Sequence, residues 1–124
     1  MRLLLDTHAA LWWLADNPSL GPRAEHLLEA GTHDVLVSAV VPLEISIKSA
    51  IGKMGASPDA VGILLDDGAR ELPVTIEHAR RVRDLPLHHR DPFDRVLIAQ
   101  ALVEDAVILS ADARFDAYGV KRRW

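Results

Sequence analysis

Three short apolar runs constrain this chain more than any other feature: Leu3-Leu4-Leu5, Val35-Leu36-Val37 and Val107-Ile108-Leu109. None alternates apolar with polar residues. A strand with one wet face alternates, whereas a strand covered on both faces is apolar throughout. The segments between the runs carry helical spacing. Buried strands alternating with helices predict an α/β protein, with a parallel sheet and helices on each side of it. The chain has 124 residues, which suits one domain spanning 1–124 and leaves no room for a second.

Capping and breaking residues set the helix bounds. A helix over 7–15 stops at Asp16-Asn17-Pro18. One over 22–30 starts with Pro22 in its first turn and ends at Gly31. Val41, Ile45, Ile47 and Ala50 mark a helix over 40–51 that closes near Gly52. Ser57 is placed as the cap of a further helix, with Pro58 first and Gly68 at its end. Leu72-Pro73-Val74 reads as a short strand whose proline suits a sheet edge. Thr75 caps a helix over 76–83, and Asp91-Pro92 opens a long one reaching about Asp105. Val107-Ile108-Leu109 is the last clear strand, followed by Ser110-Ala111-Asp112.

Composition excludes several classes. With 49% hydrophobic and 26% charged residues, the chain is not disordered. It has no cysteine, so disulfides, thiolate zinc sites and a cysteine nucleophile are all excluded. No charge-free run approaches the ~18 residues of a membrane span. The amino terminus meets Asp6 too early for a signal peptide. A cytoplasmic protein without a membrane partner is therefore expected. The net charge of −4 argues against a nucleic-acid binder at first sight.

Open parallel sheets bind ligands beyond the carboxyl ends of their strands. Four acids are placed there: Asp6 after the first strand, Glu44 after the second, Asp94 opening the long helix, and Asp112 after the last strand. Each has a plainer reading. Asp6 and Asp112 can cap helices, Asp94 can belong to a capping box with Asp91, and Glu44 can pair with Lys48. As a group they repel, by about 4 kcal/mol for a pair 4 Å apart at an effective dielectric near 20. A cation relieves that repulsion, and hard oxygen ligands suit Mg2+ or Mn2+. Carboxylate-held magnesium is the usual device for phosphoryl chemistry.

The order Leu3-Leu4-Leu5-Asp6-Thr7-His8, Pro42-Leu43-Glu44-Ile45, Asp91-Pro92-Phe93-Asp94-Arg95 into Ile98-Ala99-Gln100-Ala101, and Leu109-Ser110-Ala111-Asp112 before Phe115 and Tyr118 resembles the PIN-domain nucleases. In particular it is similar to the VapC toxins of bacterial toxin–antitoxin pairs. The resemblance covers essentially the whole chain, and Asp-Pro-Phe-Asp is its most specific part. It implies a three-layer α/β/α fold with a short, mostly parallel central sheet. It also implies an endoribonuclease that hydrolyses RNA phosphodiesters with water activated by Mg2+, or Mn2+. The family's acidic positions fall on Asp6, Glu44, Asp94 and Asp112, its hydroxyl position on Ser110, with Thr7 supporting. Asp116, one helical turn past Asp112, can share or take over the fourth role. The implied partners are RNA, a VapB-type antitoxin and a second copy in a homodimer.

The four proposed site acids equal the whole net charge of −4, which weakens the objection from charge. Cations for RNA phosphates are sought at Lys48, Lys53, Arg90, Arg95 and Lys121-Arg122-Arg123. Arg80, Arg81 and Arg83 read as a solvated helix face. His8 either touches the site or packs at the helix start, and His88-His89 reads as solvent-exposed. The helix carrying Trp12 and Trp13 is apolar all round, so part of it is expected to meet another chain. Two other functions compete. A haloacid dehalogenase-type phosphohydrolase also begins strand–Asp, but needs a second aspartate where His8 stands. A catalytically inactive PIN-like module for protein contacts would not need four acids.

Overall fold

A computed structural model describes all 124 residues, Met1 to Trp124. Its five strands are β1 (Arg2–Leu5), β2 (Asp34–Ser38), β3 (Arg70–Leu72), β4 (Val107–Leu109) and β5 (Lys121–Arg123). They form one sheet in the order β3-β2-β1-β4-β5, and every adjacent pair is parallel. The helices are α1 (Thr7–Leu14), α2 (Pro22–Glu29), α3 (Val40–Ala50), α4 (Ala60–Asp66), α5 (Ile76–Arg83) and α6 (Pro92–Glu104), with a 3-10 helix at Ala113–Tyr118.

The apolar strands are apolar because both faces are covered. Leu3 and Leu5 join Val37 and Leu109 in one core, beneath Ala9 of α1, Ala24 and Leu28 of α2, and Val61 and Leu64 of α4. Leu4 faces the other way. It meets Leu36, Ile108 and the α6 residues Leu97, Ile98 and Ala101. Successive strand residues point to opposite faces, so each three-residue run feeds both cores. The architecture is three layers, α/β/α. No helix is long and apolar enough to cross a membrane.

Most helix bounds match the punctuation. The Thr75 side chain accepts a bond from the His78 N–H, and the His78 ring accepts one from the Thr75 N–H, closing a capping box. Three readings change. The helix assigned to Ser57 starts at Ala60, after a turn in which Ser57 Oγ accepts from the Asp59 N–H at 3.2 Å. β3 ends at Leu72, leaving Pro73 just outside the edge strand. Lys121-Arg122-Arg123, named above only as candidate cations for RNA, is a fifth strand. A charged strand carries no apolar signature, yet charge is what protects an exposed sheet edge.

The chain end is packed rather than loose. The Trp124 ring lies 5.8 Å from that of Trp12, and Gly21 sits against it. A Cβ at Gly21 would lie 2.6 Å from the Trp124 carbonyl carbon and from its ring. Gly21→Ala should therefore expel Trp124, at a cost of about 1 kcal/mol or more. A lower melting temperature together with red-shifted tryptophan emission is the expected result. Unchanged emission would show that Trp124 does not pack there.

Candidate active site

The parallel register brings the carboxyl ends of β1, β2 and β4 together, and the four acids arrive there from separate elements. Asp6 leaves β1 and caps α1, its Oδ1 accepting the Ala9 N–H at 2.7 Å. Glu44 sits on α3, just past β2, and is buried. Its Oε1 accepts the Thr7 hydroxyl at 2.6 Å, and its other oxygen is bonded by Lys48. Asp94 lies in the first turn of α6, whose cap is Asp91. Asp91 Oδ1 accepts the N–H groups of Phe93 at 2.9 Å and Asp94 at 3.1 Å. Asp112 follows β4 and caps the 3-10 helix through the Arg114 N–H at 2.9 Å.

These acids line one cleft of about 300 Å3, with Thr7, His8, Trp12, Lys48, Asp91 and Arg114. Their electrostatics are uneven. Burial, reinforced by Asp91, Asp6, Glu44 and Asp112, pushes the Asp94 carboxyl up to about 7. Burial also raises Asp6, opposed by the Ser110 hydroxyl, the Ala9 N–H and His8. Asp112 falls to about 2, chiefly because the Arg114 guanidinium bonds it, against a smaller cost of burial. Lys48 is raised by its bond to Glu44.

His89 is the residue that sequence reasoning misplaced. It is buried, while its neighbour His88 is exposed. Its Nδ1 accepts the Asp91 N–H at 3.2 Å, so the ring proton belongs on Nε2. That Nε2 lies 2.9 Å from Asp94 Oδ2 and 3.1 Å from Asp112 Oδ2. The ring thus bridges two of the four acids. Its backbone is fixed by Tyr118, whose Oη accepts the His89 N–H at 2.7 Å. Only its place two residues before the Asp91 cap marked it in the sequence, and that is a weak signal. Arg114, also missed, lies two residues past Asp112.

Three expectations need correction. Asp116 does not share the site: Arg122 holds it at 2.8 and 3.0 Å, away from the cleft. Asp112 is the fourth acid of the cleft. Arg95 is no free cation. Its guanidinium donates to the carbonyls of Val82, Leu85, Pro86 and His89, bracing the loop that carries His89. Arg122 is likewise engaged with Asp116 and the Ser110 carbonyl. Lys48 does line the cleft, and Arg90 is exposed outside its lining. Ser110 is fully buried and accepts the Asp112 N–H at 3.0 Å, orienting that turn.

The donor set fits a divalent cation. Oxygen from four carboxylates suits Mg2+ or Mn2+, and Asp94, raised first by burial and then by the acids around it, adds to the case for a counter-charge. His89, Asp94 and Asp112 also place ligand atoms within 4.8 Å of one another.

A model of the PIN domain matches residues 3–121. The chain belongs to the PIN-domain family. Among curated proteins no sequence match is found. Solved structures share the fold at low identity. The VapBC2 complex from Rickettsia felis, bound to a promoter DNA fragment, matches at TM-score 0.72 and 13% identity, over 99% of this chain and 98% of that one. DNA-bound VapBC from Salmonella typhimurium matches at TM-score 0.72 and 13% identity, over 99% and 97%. VapC20 from Mycobacterium tuberculosis, a Sarcin-Ricin loop cleaving toxin, matches at TM-score 0.70 and 17% identity, over 95% of each chain.

Two substitutions separate the roles on α6. Asp91→Ala removes a cap and should cost about 1 kcal/mol. Asp94 has the opposite sign. Its folded-state value of about 7 exceeds the ordinary 3.8, so the folded protein binds that proton more tightly than the unfolded chain. The resulting stabilisation is complete below 3.8 and is lost as pH rises towards about 7. In chelator, Asp94→Asn should therefore raise the melting temperature at about pH 8 and change it little at about pH 4. Parallel melting profiles across that window would contradict the raised Asp94 value.

Proposed function

We propose that this chain is a metal-dependent endoribonuclease, the toxin of a toxin–antitoxin pair. The observation that carries the reading is the convergence of Asp6, Glu44, Asp94 and Asp112 on one cleft, with Asp94 pushed up to about 7. Those four would hold Mg2+ or Mn2+, which supplies an activated water and offsets charge on the phosphate being cut. Thr7 fixes one Glu44 oxygen, and Ser110 supports Asp6 and the Asp112 turn. Lys48 and Arg114 are the cations of the cleft lining, each bonded to a site acid and set where the RNA backbone would pass. Hydrolysis adds water across a P–O bond and leaves two shorter strands.

Membership of the PIN family and the shared fold of VapBC structures support the toxin role. The partners follow: RNA, a VapB-type antitoxin and a second copy of the chain, in the cytoplasm. Trp13, half-exposed on α1, and the exposed Leu43 and Ile47 of α3, with Ile51 at its C-cap, offer apolar surface for protein partners. Trp12 is half-exposed on the same helix.

The test is RNA cleavage in Mg2+, Mn2+ and chelator. Cleavage should need the metal, and Asp6→Asn should abolish it while the protein stays folded. Activity that persists in chelator, or wild-type turnover by Asp6→Asn at matched metal, would sink the assignment.

A further inference from the structure

The cleft has one wall that metal chemistry does not use. Among the side chains around it, Trp12 is a large aromatic surface set directly beside the acids. Trp12 and His8 are four residues apart on α1, so they share a face of the helix. Their ring centroids lie 5.4 Å apart, with planes inclined by 43°. Trp12 also meets Trp124, with ring centroids 5.8 Å apart and planes inclined by 54°. Three rings thus run from the exposed His8 at the mouth to the chain end.

Helix direction sets where this surface faces. α1 begins at Asp6, so its amino-terminal end is the cleft. Helical side chains lean back towards the amino terminus, which tips the Trp12 indole towards the acids. The ring is nevertheless only half-buried, although the apolar core it packs against lies directly beneath. Trp13, about 100° further round the helix, does not line the cleft. Trp124 is held against Trp12 by the close approach at Gly21, where no side chain intervenes.

We infer that Trp12, flanked by His8 and backed by Trp124, is a stacking platform for one unpaired base of the RNA next to the cut phosphate. This rests on the nuclease reading. A flat aromatic face suits a base because every base has a π-face, and stacking on protein rings is a main source of affinity for single strands. A base inside a duplex has its faces covered by its neighbours. The platform therefore favours substrates whose base is splayed out at that position. It supplies recognition that the cleft acids cannot, since carboxylates repel phosphates.

The test uses a labelled single-stranded oligoribonucleotide that the full-length protein cleaves in Mg2+. Abasic residues are walked through the positions flanking the cut. One position should lower kcat/KM about tenfold in the wild-type protein. In Trp12→Leu the intact strand should already be about tenfold poorer, and the abasic residue should cost nothing more. Trp12→Phe, which keeps a ring, should recover most of the loss. A second measurement needs no substitution: the intact strand should quench tryptophan emission more than the strand abasic at the sensitive position. Equal quenching, losses that simply add in Trp12→Leu, or no sensitive position would overturn the platform while leaving the nuclease standing. A wild-type protein that cleaves no RNA overturns both.

Discussion

Repulsion among carboxylates is the constraint around which this cleft is arranged. Two such groups 4 Å apart repel by about 4 kcal/mol at an effective dielectric near 20. Four cannot share a cleft of this size without compensation. The structure meets each with a donor: Thr7 and Lys48 on Glu44, the Ala9 N–H on Asp6, Arg114 on Asp112, and His89 between Asp94 and Asp112. Burial raises both Asp6 and Asp94, the latter up to about 7, and the neighbouring carboxylates add to it. A divalent cation would complete what these donors begin.

The sheet makes that crowding possible. Parallel strands present all their carboxyl ends on one side, and β1 lies in the middle with β2 and β4 beside it. Acids separated by as much as the interval from Asp6 to Asp112 therefore meet without any local contact in sequence. The same packing keeps them in place. Leu5, Val37 and Leu109, near the carboxyl ends of β1, β2 and β4, are fully or almost fully buried. The acids consequently project from the best-packed part of the molecule, where side chains have least freedom to relax apart.

What was legible in the sequence follows from this physics. β1, β2 and β4 declared themselves because double-sided burial needs unbroken apolar runs. α6 declared itself because Asp91-Pro92 satisfies the orphan N–H groups of a helix start. β5 did not, since an edge strand made of Lys121, Arg122 and Arg123 forms through backbone pairing and carries no apolar pattern. His89 and Arg95 were hidden for a different reason. Arg95 spends its guanidinium on four carbonyls at the end of α5 and in the loop after it, and His89 is buried by that loop's path rather than by its own neighbours in sequence. Side chains whose roles are set by tertiary contacts leave no local periodicity to read.

The plain and functional readings of the acids also prove compatible. A helix cap uses a carboxylate oxygen to accept N–H groups, and Asp6 does so with Oδ1 alone. Asp112 caps through Oδ1, which accepts the Arg114 N–H, while the Arg114 guanidinium bonds both of its oxygens and Oδ2 also faces His89. Capping is then a means of aiming. Fixing one oxygen on the backbone sets the direction of the other, at an angle the helix dictates, and the helix dipole favours the negative charge. The weak single-residue signals were weak because capping acids are common. Their force comes from several helix starts being turned towards one point, which only the sheet topology can do.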